Sequence, residues 1–165
     1  MMTASAVTQV LSLLERAGLT AWVDGGWGVD ALLGEAAREH ADLDLVVLLS
    51  QLAAVRSVLT QAGYVAVLRD LLPASIALAD GHGREVDLHP VTPTPDGGGD
   101  QTLERGGSFH YPPPVPGTIS GQPVRCVDAE TQVRCHLGYP PTAKDREDMR
   151  RLHERLGVEL PAIYQ

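Results

Sequence analysis

Two short stretches of this chain alternate acidic and aliphatic residues. The first, at residues 42–45, reads DLDL, and the second, at residues 85–89, reads EVDLH. Successive side chains of a β-strand point to opposite faces, so each stretch predicts a strand with one acidic and one apolar face. Other elements have to cover the apolar faces. The sequence therefore predicts a sheet with helices packed against it.

The spacing of apolar residues elsewhere in the chain predicts the helices and further strands. Apolar residues at 7–14 have the spacing of one helix face, and Gly18 follows as a stop signal. Ser50 is expected to cap a helix, and Thr142 with Asp145 approximates a capping box. Further helices are predicted at residues 29–33, 52–59, 128–137 and 142–156, and strands at residues 19–23, 43–49, 64–69, 75–80 and 84–91. The predicted fold class is α/β, a mixed sheet of about five strands flanked by helices, with a small helical C-terminal part.

The segment from Thr92 to Pro123 differs in composition from the rest of the chain. It contains most of the prolines and a run of three glycines at residues 97–99. We expect a long irregular segment here, and such loops often bind substrate. The predicted organisation is one domain made of residues 1–92 together with 93–126, which carry the long loop, and a helical C-terminal segment at residues 127–165.

The charge and the cysteines narrow the class of partner. The 13 basic and 21 acidic residues give a formal net charge of -8. Because a nucleic-acid binder needs a basic face, this balance disfavours nucleic acid and is compatible with a cationic small molecule. Cys126 and Cys135 form no CxxC pair, no secretory signal precedes Thr3, and no apolar run approaches the roughly 20 residues that span a bilayer. We expect a cytoplasmic protein without a membrane partner.

The acids of the alternating stretches are candidates for a metal site. Asp42 and Asp44 share one strand face, and Asp87 shares a face with Glu85 and His89. If the two strands are neighbours, Asp87 joins the other two aspartates in a cluster that requires protons or cations to neutralise it. Three carboxylates with substrate phosphates suit Mg²⁺, and two ions can hold the attacking and leaving oxygens of a phosphoryl displacement. For an isolated Asp-x-Asp, acids that merely face solvent are the alternative.

A glycine-rich segment, DGGWG at residues 24–28, joins a predicted strand to a helix. Backbone amides in such a place can bind phosphate at the helix N-terminus. The segment lacks the Gly-Lys-Ser/Thr of a Walker A loop. Residues 26–31 also fit the Rossmann pattern G-x-G-x-x-A, but that fold expects one acid at the end of the second strand. Here a pair of acids precedes the apolar run, which disfavours the Rossmann interpretation.

These motifs, in this order, resemble a known family. The GGW at residues 25–27 followed by DLD at 42–44 is similar to the signature of the DNA polymerase beta-like nucleotidyltransferases. The chain resembles the small lincosamide nucleotidyltransferases at residues 22–30, 38–40, 87–90, 106–108, 136–139 and 144–148. It shares the GGW, the Asp-x-Asp and residues 121–126 with the aminoglycoside 2''-adenylyltransferases. The resemblance covers nearly the whole chain.

The resemblance implies roles for individual residues. Asp42 and Asp44 would hold Mg²⁺, and Asp87 would serve as general base for the acceptor hydroxyl, as a metal ligand, or as both. Gly25 and Gly26 would present their backbone amides to the triphosphate.

Three basic residues complete the implied nucleotide site. Arg38, His40 and Lys144 would neutralise phosphate charge. Glu85 departs from the apolar residue of the lincosamide enzymes, so it would add a ligand, meet a cationic group or lie at the rim.

The activity implied by the resemblance is that of a Mg²⁺-dependent nucleotidyltransferase of EC 2.7.7 type with the DNA polymerase beta-like fold. It would transfer a nucleoside monophosphate, AMP first, from ATP or another NTP to a hydroxyl of a basic small molecule. A lincosamide antibiotic is the first expectation and an aminoglycoside the second, with resistance as the outcome. A macromolecular acceptor and a non-catalytic nucleotide-binding domain are alternatives, and a homodimer is left open. We expect acceptor recognition in residues 92–123 and near Tyr139.

Overall fold

The computed structural model describes residues 1–165. The helices are α1 (Ala4–Arg16), α2 (Gly25–Leu33), α3 (Leu52–Gln61), α4 (Ala129–Cys135) and α5 (Ala143–Leu156). The strands are β1 (Ala21–Asp24), β2 (Asp42–Leu48), β3 (Ala66–Asp70), β4 (Ile76–Ala79), β5 (Glu85–Pro93), β6 (Gly99–Thr102), β7 (Ser108–Tyr111), β8 (Val115–Ile119) and β9 (Gln122–Cys126). The predicted α/β class is confirmed. None of the helices is long and apolar enough to cross a bilayer.

The strands form one mixed sheet in the order β3-β4-β5-β2-β1-β9-β8, with the β6–β7 hairpin attached to the end of β5. The pairs β2–β5 and β1–β9 are parallel, whereas the other neighbours are antiparallel. The sheet therefore has the predicted mixed character but nine strands, more than the sequence indicated.

The alternation at residues 42–45 and 85–89 sets the two faces of the sheet. Leu43, Leu45, Val86 and Leu88 are fully buried and belong to the main core, which also contains apolar residues of α1 and α3. The acids between them point to the opposite face. This arrangement confirms the prediction from the period of two, and it leaves the acidic face free for chemistry.

The prediction of an irregular segment at residues 92–123 is wrong. β5 extends to Pro93, and the segment contains β6, β7, β8 and the start of β9. β8 lies at the edge of the sheet, where the missing N–H of Pro116 is tolerated. A Cβ atom at Gly117 would lie 2.7 Å from Sγ of Cys126 and 2.8 Å from the carbonyl oxygen of Ala31, so this glycine allows α2 to pack closely on β8.

Several helix ends differ from the sequence expectation. Ser50 does not cap α3, because a 3₁₀ turn at Leu49–Gln51 precedes it and Gln51 is its N-cap residue. The predicted strand-to-helix loop at residues 24–28 is instead the start of α2, and Asp24 caps it by accepting the Gly25 N–H at 2.8 Å. The capping box of Thr142 and Asp145 at the start of α5 is confirmed.

The C-terminal helices α4 and α5 pack against α2. Val29 of α2 forms a small buried cluster with Val133 of α4 and with Met149 and Leu152 of α5. This packing fixes α2, and with it the glycines of its first turn, relative to the acidic face of the sheet.

Candidate active site

Neighbouring strands bring the predicted acids together. The parallel register of β2 and β5 sets Asp44 opposite Asp87 and Asp42 opposite Glu85. On the other side of β2, the antiparallel register of β1 sets Asp24 opposite Asp44. Asp24 was visible in the sequence only as the start of the glycine-rich segment, and it adds a further carboxylate to this row.

The acids offer a fit for a divalent cation. Ligand atoms of Asp44, Asp87 and His89 all lie within 4.8 Å of one another. Oδ1 of Asp87 is buried without a hydrogen-bond partner, which is costly for a carboxylate oxygen unless a cation or a donor meets it. Carboxylate oxygens are the ligands that Mg²⁺ prefers. The donor set therefore suits the expected metal.

Asp42 lies two residues before Asp44 on the same face and outside this compact group. Burial and then the negative charge of Asp44 raise the pKa of Asp42. A bound cation would act in the opposite direction, since positive charge favours the ionised carboxylate. Asp42 stays a predicted metal ligand.

Arg69 of β3 supplies a counter-charge that the sequence analysis missed. It donates a hydrogen bond to Oδ2 of Asp87 at 2.5 Å and lies 3.5 Å from the carboxylate of Glu85. The charge of Asp87 is the main reason why the pKa of Arg69 is raised. Glu85, the departure from the lincosamide enzymes, is therefore part of this ion pair.

A hydrogen-bonded chain crosses the acidic face. Nε2 of His89 lies 3.3 Å from Oδ1 of Asp44, and its Nδ1 lies 3.3 Å from the amide nitrogen of Gln101. The hydroxyl of Tyr111 donates to Oδ2 of Asp24 at 3.2 Å and lies 3.5 Å from Oε1 of Gln101. The β6–β7 hairpin thus contributes two polar side chains to the site.

The acidic row perturbs the protonation of its members. Burial alone would lower the pKa of His89, but the hydrogen bond and charge of Asp44 outweigh it and raise this pKa to about 9. Burial also raises the pKa of Asp24. The negative charge of the row therefore favours protonation of His89.

The glycines at the start of α2 allow a close approach to the acids. Gly25 has φ of 59°, a conformation that favours glycine, and a Cβ atom there would overlap the carboxylate of Asp44. A Cβ atom at Gly26 would overlap the ring of His40 and lie 2.7 Å from Nη2 of Arg38. The first turn of α2 is therefore a small cradle between the acids and two basic groups, as an anion site requires.

Arg38 and His40 are held by acids on other elements. Nε and Nη2 of Arg38 donate to the two carboxylate oxygens of Asp148, at 3.2 and 2.5 Å. Nε2 of His40 lies 2.6 Å from Oδ2 of Asp30, and both side chains are buried. Lys144 lies exposed in the first turn of α5.

Residues 6–152 match the family model described as aminoglycoside-2''-adenylyltransferase. The chain belongs to this family. It is 30% identical over 145 residues to a lincosamide resistance protein of Staphylococcus haemolyticus. The aligned region covers 87% of this chain and 89% of the relative. The family resemblance stated from the motifs is confirmed.

Solved structures of related enzymes have the same fold as this family member. The lincomycin-bound crystal structure of the lincosamide antibiotic adenylyltransferase LnuA matches with a TM-score of 0.82 and 29% identity, over 92% of this chain and 96% of that one. The crystal structure of ANT(2")-Ia in complex with adenylyl-2"-tobramycin matches with a TM-score of 0.75 and 22% identity, over 93% and 89% of the two chains. The nucleotidyltransferase fold is therefore confirmed.

In this adenylyltransferase-family chain, a cleft of about 560 Å³ opens beside the acidic row. Asp24, Gly25, Asp44 and His89 form one wall. The opposite walls are formed by apolar and aromatic side chains with a few polar ones: Leu71, Leu103, Glu104, Phe109, Arg134, His136, Leu137 and Tyr139. The β6–β7 hairpin and the region of Tyr139, where we expected acceptor recognition, thus meet at the acids.

Proposed function

We propose that this chain transfers AMP from ATP to a hydroxyl of a lincosamide antibiotic with the help of Mg²⁺. The observation that carries the proposal is the register that sets Asp44, which lines the cleft, beside Asp87. The family membership and the similarity to the lincosamide enzymes support it.

The reaction joins the oxygen of the acceptor hydroxyl to the α-phosphorus and breaks the bond from the α-phosphorus to the bridging oxygen, so that pyrophosphate leaves. Bound Mg²⁺, held by Asp42, Asp44 and Asp87, would neutralise phosphate charge and align the attacking and leaving oxygens. The chain itself mainly positions the reactants. Gly26 presents its amide in the first helical turn to the triphosphate, and the Gly25 amide would join it only by leaving Asp24, which accepts it at 2.8 Å.

Asp87 is our proposed base for the acceptor proton. Its carboxylate lies on the acidic row, and Arg69 donates to Oδ2 at 2.5 Å, which leaves the buried Oδ1 as the oxygen without a partner. Asp87→Asn should lower kcat by roughly 10² to 10⁴ with a smaller effect on ATP affinity than Asp44→Asn. An equal loss of ATP affinity in both variants would make Asp87 a metal ligand first.

Arg38, His40 and Lys144 are the proposed phosphate ligands. The first two are supported by their place against Gly26, and Lys144 by its exposed position at the start of α5.

The walls of the cleft favour a lincosamide over an aminoglycoside. Leu71, Leu103, Phe109 and Tyr139 provide apolar surface, which suits an acceptor with an apolar body better than a strongly hydrated polycation. Glu104 in the same wall can serve as counter-ion for one amine. An aminoglycoside is the second candidate, which the description of the matching family favours.

A panel of acceptors tests this choice. The chain is incubated with ATP, Mg²⁺ and lincomycin, clindamycin, tobramycin or kanamycin, and the products are weighed by mass spectrometry. We expect lincomycin or clindamycin to gain one AMP unit at a rate that depends weakly on salt, since the amine is a single charge. Modification of the aminoglycosides alone would contradict the lincosamide assignment and keep the chemistry. Modification of no small acceptor would favour a macromolecular one.

A further inference from the structure

One face of α5 carries charged residues that pair with α2 and with the segment between α2 and β2. Asp148, Arg151 and Arg155, spaced three and four residues apart, contact Arg38, Asp30 and Glu35 respectively. The inner members are almost inaccessible: the side chains of Asp148, Asp30 and Arg151 are 1%, 2% and 7% exposed. Buried ions are costly unless each is paired, so this arrangement constrains the positions of all the groups that take part.

Three acceptors fix the guanidinium of Arg38. Asp148 accepts from Nε and Nη2, and the carbonyl oxygen of Glu39 accepts from Nη1 at 3.1 Å. Nη2 lies 2.7 Å from where a Cβ atom of Gly26 would be. Nη2 therefore donates to Asp148 and also lies against the first turn of α2, with its second N–H left for another acceptor.

Asp30 holds His40 as Asp148 holds Arg38. Burial would raise the pKa of Asp30, but its hydrogen bonds with His40 and Arg151 outweigh this and lower it, so the carboxylate is ionised and can only accept. Nε2 of His40 lies 2.6 Å from Oδ2 of Asp30, and Nδ1 faces Gly26. Arg151 holds the other oxygen of Asp30 at 2.8 Å. Asp30 therefore fixes the ring orientation of His40.

We infer that Asp148 and Asp30 are positioning residues for the triphosphate, and that α5 sets nucleotide affinity through Asp148 and through Arg151, which holds Asp30. The inference rests on the proposed function. In this arrangement the two acids do not touch the nucleotide. They hold Arg38 and His40 in the binding orientation before the nucleotide arrives, so that little side-chain freedom is lost on binding. Lys144, the third predicted phosphate ligand, also lies on α5.

The test measures binding and turnover separately. Affinity for α,β-methylene ATP in the presence of Mg²⁺ is measured by calorimetry, and KM for ATP and kcat are measured with the accepted antibiotic. Asp148→Asn and Asp30→Asn should each raise Kd and KM by about 10-fold, with kcat changed by less than about threefold. Asp148→Glu should restore part of the affinity.

Matched controls lie on the same helix, outside the buried pairs. Glu147→Gln and Glu154→Gln each remove one exposed partner of Arg150. Both should leave Kd, KM and kcat unchanged. Wild-type affinity in Asp148→Asn, or tighter binding because Arg38 is released, would overturn the inference. A loss in the controls equal to that in the buried variants would also overturn it.

A double variant shows whether Asp148 acts through Arg38. Arg38→Gln combined with Asp148→Asn removes both charges, so it leaves no unpaired buried ion and should fold even if Asp148→Asn does not. Its Kd should equal that of Arg38→Gln alone, and a further loss would contradict the positioning role. If the wild-type chain binds and transfers nucleotide while these variants behave as wild type, only the inference fails. If the wild-type chain binds no nucleotide, the proposed function fails with it.

Discussion

Arg69 reaches Asp87 across an intervening strand. Arg69 is registered opposite Ala77 of β4, and Ala77 is registered opposite Asp87 of β5. The small, fully buried Ala77 leaves room for the guanidinium to pass over β4 and donate to Oδ2 of Asp87 at 2.5 Å. The exposed edge strand thus orients the carboxylate at the β5 end of the acidic row.

Loss of this contact should slow the reaction. We expect Arg69→Gln to lower kcat by about 10-fold, because Asp87 loses a charge-assisted hydrogen bond that fixes its orientation. KM for ATP should change less than kcat. Steady-state kinetics measures both, with Arg56→Gln, an arginine outside the site on α3, as the control. An unchanged kcat in Arg69→Gln would show that the contact does not orient Asp87.

The metal site should be essential for turnover and dispensable for folding. Asp42→Asn and Asp44→Asn should each abolish transfer, since the remaining acids no longer hold the cation. Neither should lower Tm, because removal of one charge relieves repulsion within the row. EDTA should stop the wild-type reaction and excess Mg²⁺ restore it. Full activity of either variant, or activity in EDTA, would contradict the metal site.

Much of this site follows from the sequence, and what does not has a physical reason. The period of two at residues 42–45 and 85–89 predicts both strands and their acidic face. Arg38 and Asp148 lie 110 residues apart, and nothing local in either segment indicates that they pair. Gln101 and Tyr111 lie in the four-residue strands β6 (GDQT) and β7 (SFHY). The buried positions of β6 are Gly99 and Gln101, so no alternation of aliphatic residues marks the strand, and the sequence analysis misread the segment as irregular.

Gly25 should tolerate no side chain. Gly25→Ala should lower Tm and weaken ATP binding, because its positive φ strains an L-residue and the methyl group would overlap the carboxylate of Asp44. Gly81→Ala is the matched control, since a Cβ atom there has no neighbour within 4 Å. Thermal unfolding and calorimetry measure the two effects. Equal behaviour of the two variants would argue against a close approach at Gly25.

His110 should make the β6–β7 hairpin more stable in acid. Its hydrogen bond with Asp100 is the main reason why the pKa of His110 is raised above 6.5; burial opposes this increase, and the hydrogen bond with Asp96 adds to it. Arg134 is the other charged group at this place, donating to the His110 carbonyl at 3.0 Å. Asp96, with a pKa of about 2, stays ionised throughout. Because the folded pKa is raised, this stabilisation is fully present below pH 6.5 and is lost as pH rises through the folded pKa.

The measurement compares His110→Gln with the wild-type chain by thermal unfolding at pH 6 and pH 9. The decrease in Tm relative to the wild-type chain should be larger at pH 6 than at pH 9. For His82→Gln, at an exposed turn residue, the decrease should be the same at both pH values. A deficit that is the same at both pH values would mean that His110 contributes only through packing.

The transfer of label from ATP tests the central claim most directly. The chain is incubated with lincomycin, Mg²⁺ and ATP labelled with ³²P at either the α- or the γ-phosphate, and the drug and the released phosphate species are separated. Nucleotidyl transfer predicts that only the α-label enters the drug, that the γ-label leaves as pyrophosphate, and that Asp44→Asn abolishes both. Entry of the γ-label into the drug, or undiminished α-label transfer by Asp44→Asn, would contradict the account.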